Sequence, residues 1–153
     1  MGKKSAGILL YKIKNGKPLF LLVHPGGPFW KNKDLNAWSI PKGEIEENEE
    51  PLKTALREFK EETGKELKAD KIIPLKPVKL KGGKTVYAWA VEGDFDPAKL
   101  KSNTIEIKWP PKTNRHLIIP EVDKAAWFTA EQAKEKINKA QYALIEDLLE
   151  KIH

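Results

Sequence analysis

Apolar positions in this chain fall mostly in short runs separated by turn residues, with two longer stretches at helical spacing. Ser5 to Lys12 (SAGILLYK) and Leu19 to Val23 (LFLLV) are apolar runs of strand length. Asn15-Gly16 lies between them, flanked by Lys14 and Lys17, and predicts a hairpin turn. His24 to Trp30 (HPGGPFW) carries two Pro and two Gly in seven residues and reads as a loop. Trp38-Ser39-Ile40 reads as a short strand. Lys71 to Leu80 is interrupted by proline, as an edge strand or loop would be. Gly82-Gly83 turns the chain into Lys84 to Val91 (KTVYAWAV), the clearest strand pattern present. Asp94 to Ser102 reads as a loop or one helical turn. Ile105 to Trp109 alternates like a strand that Pro110-Pro111 ends, and Ala125 to Phe128 gives a last short strand. Thr129-x-x-Gln132 predicts a capping box opening a helix to about Ile137. Ala140 to Ile152 closes the chain as an amphipathic helix, with Tyr142, Ile145, Leu148, Leu149 and Ile152 at helical spacing.

Between these elements lies Gly43 to Gly64, GEIEENEEPLKTALREFKEETG. Pro51 suits the first turn of a helix, where its missing N–H is not needed, and Glu49 and Glu50 favour a helix N-terminus. Leu52 to Glu62 holds neither Gly nor Pro, and Gly64 suits the position just past a helix end. A helix from near Glu50 to near Thr63 follows. At roughly 100° per residue, Leu52, Leu56, Phe59 and Thr63 share one stripe and form the expected packing face. Glu58, Glu61 and Glu62 share another, with the small Thr54 and Ala55 one turn earlier leaving room above it. Like charges at this spacing repel, and the helix C-terminus favours cations. A hard divalent ion with oxygen ligands, Mg²⁺ or Mn²⁺, would relieve the triplet. A solvated acidic face with Lys53, Lys60 and Lys65 as neighbours is the other reading of the triplet alone.

The wider spacing adds weight to the first. Gly43, five residues, Glu49, seven residues, then Arg57-Glu58-Phe59-Lys60-Glu61-Glu62-Thr63-Gly64 resembles the Nudix box, GX5EX7REUXEEXGU. Every fixed letter is present. Phe59 stands where an aliphatic residue is usual, and Lys65 where a hydrophobic one is. The Trp38-Ser39-Ile40-Pro41-Lys42-Gly43 lead-in and the Glu121-Val122-Asp123 to Phe128 exit are also similar to this family. The resemblance implies an α+β domain over residues 1–153: the Nudix fold, an α/β/α sandwich with a mixed central β-sheet.

It also implies an activity: hydrolysis of a nucleoside diphosphate linked to another moiety, by water attacking phosphorus. Glu58, Glu61 and Glu62 match the metal-binding glutamates of the box, with the Gly43 carbonyl as a further ligand. Arg57 and Glu49 match the pair that holds the loop onto the helix. The general base is either a box glutamate such as Glu61 or a carboxylate from a later loop. Glu121, in Pro120-Glu121-Val122-Asp123, is the candidate there, with Asp123 and Glu106 as alternatives. Lys42, Lys31, Lys33 or Arg115 could meet phosphate, and Phe29 and Trp30 could stack a nucleobase. His24 is read as structural. A non-catalytic nucleotide-sensing domain is the alternative reading, although such domains usually lose box glutamates. Isomerisation of isopentenyl diphosphate on the same fold employs a cysteine, and this chain has none.

Composition narrows the remainder. A chain of 153 residues with 40% hydrophobic and 33% charged residues is long enough for one core and reads as a single globular domain. No apolar run approaches the roughly 18 residues of a membrane span, and Met1-Gly2-Lys3-Lys4 leads straight into a strand, so a cytoplasmic protein without a membrane partner is expected. The net charge of +6 comes from dispersed lysines, with Arg only at 57 and 115. Base readers favour Arg, and no basic stripe interleaves with aromatics. The expected partner is a small nucleotide and no stable nucleic-acid complex. Oligomeric state is left open.

Overall fold

The computed structural model describes residues 3–68 and 70–152. Among these described residues, nine strands and three α-helices follow one another: β1 (Lys4–Lys14), β2 (Lys17–Pro25), β3 (Lys42–Glu44), α1 (Pro51–Thr63), β4 (Ile72–Pro74), β5 (Val78–Lys79), β6 (Thr85–Glu92), β7 (Thr104–Lys108), β8 (His116–Pro120), β9 (Val122–Phe128), α2 (Ala130–Lys136) and α3 (Tyr142–Lys151). Seven strands form one mixed sheet in the order β4-β6-β1-β2-β9, with β3 added to β1 and β5 to β6. The β1–β6 pairing is parallel; the other pairings in that sheet are antiparallel. Asn15 and Gly16 both take positive φ, as a two-residue hairpin turn demands, and set Lys14 opposite Lys17.

The central strand β1 is buried on both faces, and its alternation sorts two cores. Ala6, Ile8 and Leu10 join Leu21, Val23, Ala55 and Phe59 under α1. Leu9 and Tyr11 join Phe20, Leu22, Ala133, Ile137, Leu144, Ile145 and Leu148 under α2 and α3. The result is helix, sheet, helix: the α/β/α sandwich expected from the sequence. Among the described residues no helix is long and apolar enough to cross a membrane.

Boundaries moved where tertiary pairing extended a local pattern. His24 and Pro25 continue β2 because β9 pairs beyond Ala125, so the loop begins at Gly26. Trp38 and Ser39 make isolated bridges only, to Ile137 and Val23. The last helix starts as a 3₁₀ turn over Lys139–Gln141. The Thr129–Gln132 capping box closes with both reciprocal bonds. β8 was not expected: the run His116-Leu117-Ile118-Ile119 pairs back on β7 to make a separate two-stranded ribbon. Its cleft-facing residues are Ile105, Ile107, Leu117 and Ile119, which alternate with Glu106 and Ile118.

Candidate active site

Helix α1 begins at Pro51 and ends at Gly64, whose φ of 87° lets its N–H close on the Lys60 carbonyl. Its burial differs from the sequence pattern. Leu52 and Leu56 are only half-buried, whereas Thr54, Ala55, Phe59 and Thr63 are fully covered and Glu58 and Glu62 are 7% and 4% exposed. The carboxylates are thus not a solvent face. The helix lies across β1 and β3, with the small, fully buried residues 54 and 55 on its covered face, and it also touches β9.

Two backbone amides finish the helix: Lys101 N–H donates to the Thr63 carbonyl at 3.0 Å, and Asn103 N–H to the Glu61 carbonyl at 2.8 Å. Both donors come from the segment that leads into the β7–β8 ribbon. Asn103 returns a second bond, its carbonyl accepting from the Glu121 N–H at 3.0 Å, while Ser102 Oγ accepts from the Val122 N–H. Glu121 is therefore tied to the end of α1 through the ribbon base.

Three carboxylates meet as a consequence. One oxygen each of Glu58, Glu62 and Glu121 lies within 4.8 Å of the others. Burial first, then the Glu121 and Glu58 charges, pushes Glu62 well above the usual carboxylate range, with Lys42 opposing. Burial, then Glu61 and Glu121, pushes Glu58 upward against the pull of Arg57. Gly43 packs directly on the Glu58 carboxyl group, in space that a Cβ would occupy. Arg57 anchors the arrangement. Its Nε and Nη2 donate to the two Glu49 oxygens at 2.8 and 3.0 Å, a forked pair that holds Glu49 down to a pKa of about 2. Its Nη1 donates to Glu58 at 3.0 Å and to Glu61 at 3.1 Å.

The other expected residues are dispersed around this cluster. Glu61 stands outside it, half-exposed and held by Arg57. Asp123 pairs with His24, and Glu106 pairs with His116 at 2.9 Å on the far face of the ribbon, so of the later carboxylates Glu121 alone joins Glu58 and Glu62. Lys42 lines the carboxylate cavity of about 190 Å³ with Val23, Pro25, Ser39, Glu62 and Glu121. Its Cβ faces Gly7, on the side of the sheet away from Gly43. Burial and Lys84 lower its ammonium pKa, against the pull of Glu62, Glu121 and Glu58. Trp30 and Phe29 stand edge to face at 5.0 Å and line an adjoining groove of about 270 Å³. Ile105, Ile107 and Ile119 of the ribbon form its opposite wall, and Pro25 and Glu121 belong to both spaces. The ribbon wall was missed at the sequence level; the apolar alternation across His116 to Ile119 was its signal. Lys33 sets its ammonium 3.4 Å above the Phe29 ring, while Lys31 and Arg115 are exposed.

A model of the NUDIX domain matches residues 1–148. The chain is 39% identical over 66 residues to an RNA pyrophosphohydrolase of Bartonella henselae, covering 40% of this chain and 35% of that protein. It thus matches about a third of that relative's length. Over 110 residues it is 31% identical to the rat asymmetrical bis(5'-nucleosyl)-tetraphosphatase, covering 63% of this chain and 69% of the relative. In structure it is similar to a Caenorhabditis elegans Ap4A hydrolase in a binary complex, with a TM-score of 0.67, 21% identity, and 98% and 97% of the two chains covered.

Proposed function

Because the chain belongs to the Nudix family, we propose that it is a divalent-metal-dependent pyrophosphohydrolase that cleaves the diphosphate linkage of a nucleoside polyphosphate or nucleoside-diphosphate derivative. The observation that carries this reading is the meeting of Glu58, Glu62 and Glu121 beside an open cavity, lined by Glu62 and Glu121, that adjoins an aromatic groove. Three carboxylate oxygens this close together, with the Glu58 and Glu62 proton affinities raised, fit a hard divalent ion, Mg²⁺ or Mn²⁺. Glu58, Glu62 and Glu121 would hold it, with the Gly43 carbonyl as a further donor. Such an ion neutralises polyphosphate charge and makes water a better nucleophile.

The chain's own groups supply the remaining roles. Phe29 and Trp30 orient the substrate by stacking its base. The Lys42 charge, which attracts Glu62, Glu121 and Glu58 from the edge of the cavity, favours an anionic phosphate. Glu61, a half-exposed carboxylate outside the ligand cluster, accepts the proton of the attacking water as the new P–O bond forms and the bridging oxygen leaves with its phosphate. Arg57 holds Glu61 and Glu58 in place for these tasks.

Product release is measured from dinucleoside polyphosphates, dNTPs, ADP-ribose and nucleotide sugars, with Mg²⁺, with Mn²⁺ and with chelator. Cleavage of one class that chelator abolishes is the expected outcome. Cleavage that survives chelator would sink the metal assignment. A nucleotide that raises the melting temperature and is never cleaved would identify a binding domain instead.

A further inference from the structure

His24 lies outside the proposed chemistry, yet both of its ring nitrogens are engaged. It is fully buried in the last part of β2. Its Nδ1 lies 2.9 Å from Asp123 Oδ1, and its Nε2 lies 2.6 Å from the Lys33 carbonyl oxygen. The ring meets Trp38 edge to face at 5.3 Å. A carbonyl oxygen only accepts, so Nε2 carries a hydrogen. Nδ1 faces the Asp123 carboxylate, so the ring bridges the loop carbonyl and that carboxylate. Its two partners belong to the two walls of the site. Lys33 sits in the 26–37 loop that carries Phe29 and Trp30. Asp123 is two residues from Glu121, at the start of β9.

We propose that His24 is a positioning residue that fastens the aromatic loop and the Glu121 segment to one rigid point, setting the apolar groove and the carboxylate cavity in register for a single substrate. The loop is otherwise attached at its near end, where Gly26 N–H donates to the Glu121 carbonyl at 3.0 Å, and near its far end, where Asp34 accepts from Trp38 Nε1 at 2.9 Å and pairs with Lys136. Glu121 is also attached through the ribbon base. His24 adds a side-chain bond to each wall between those ends. The kinetic half of this proposal rests on the hydrolase reading; the structural half does not.

The two ring nitrogens can be tested separately. Asn places an amide N–H close to the position of Nδ1, and Gln places one close to Nε2. His24→Asn keeps the Asp123 link and frees the loop, while His24→Gln keeps the Lys33 link and frees β9. Hydrogen exchange is expected to quicken over residues 26–37 in the first and over residues 121–124 in the second. On a cleaved nucleotide, His24→Asn raises KM about tenfold with kcat little changed, and His24→Gln lowers kcat about tenfold with KM little changed. Asp123→Ala, a change at a partly exposed side chain, reproduces the His24→Gln result and serves if that variant does not fold. Uniform loosening of the whole sheet in both His24 variants, with the same fall in kcat and an unchanged KM, overturns the proposal and leaves a packing residue. If the wild-type protein cleaves no nucleotide, the hydrolase reading falls, and the exchange pattern alone decides for or against His24.

Discussion

Replacing Glu62 by Gln removes one charge from the carboxylate cluster while keeping the side chain's shape. In the metal-free protein this should raise stability and, in the presence of metal, abolish turnover. At an effective dielectric of about 20, two carboxylates no more than 4.8 Å apart repel by about 3.5 kcal/mol or more. The protein can escape that cost by keeping the proton on Glu62, but against the usual value of 4.5, holding it at pH 7.5 costs about 4 kcal/mol. Either route bounds the penalty, and the opposing Lys42 charge reduces it, so a gain of about 2–3 kcal/mol is expected, or roughly 5–10 °C in melting temperature for a chain of this length. The pH dependence has a definite sign. Glu62 is protonated in both folded and unfolded states below the usual carboxylate range, so the variant and the wild type converge there. Above it the unfolded carboxyl ionises first, the wild type loses relative stability, and the advantage of the variant grows until the raised folded pKa is passed. Thermal melts of the chelated proteins from pH 4 to 8 measure this, and Mn²⁺ should stabilise the wild type more than the variant. A variant no more stable than the wild type at pH 7.5 would refute the electrostatic account of the cluster.

Gly43→Ala places a methyl group inside the Glu58 carboxyl position, which must retreat by roughly 1 Å or more to reach ordinary contact; turnover should fall about a hundredfold with the fold retained, read by kinetics beside circular dichroism. Arg57→Lys keeps the charge and loses the fork onto Glu49. Because Glu49 is held to about 2, the stability it contributes is present above the usual carboxylate range and lost as pH falls toward 2; the variant should therefore show acid unfolding at a higher pH than the wild type. Trp30→Ala should raise KM for a base-containing substrate about tenfold while leaving the hydrolysis of a small, base-free diphosphate unchanged. Glu61→Gln should lower kcat by about two orders of magnitude with little change in Mn²⁺-induced stabilisation, since its carboxylate lies outside the Glu58–Glu62–Glu121 cluster.

What the sequence could reveal depended on the range of the interaction. The helix from Pro51 to Thr63, its glycine end and the Asn15-Gly16 hairpin are local matters, and local spacing located them. The Thr129–Gln132 box was legible for the same reason. The burial of Glu58 and Glu62 was not, because a helical wheel assigns carboxylates to water unless a second element covers them, and here the covering groups, Gly43 and Glu121, lie 15 and 59 residues away from Glu58 and Glu62 respectively in the chain. Leu52 and Leu56 look like core residues by type, yet they are only half-buried, and Thr54, Ala55 and Phe59 hold the covered face. The ribbon escaped for a related reason: Thr104–Lys108 had no recognisable partner until Pro110-Pro111 and the turn beyond it folded His116–Pro120 back alongside.

The bonds that join the end of α1 to the base of that ribbon run between backbone atoms, Lys101 N–H to Thr63 and Asn103 N–H to Glu61. They carry no demand on side-chain identity, and the ribbon shares no strand with the main sheet. The wall of the groove is accordingly an interchangeable part: residues 104–120 can be lengthened, shortened or replaced by another hairpin while the carboxylate frame stays fixed, so long as the two ends return to Asn103 and Glu121. A scaffold divided in this way can diversify what it accepts without rebuilding what it does.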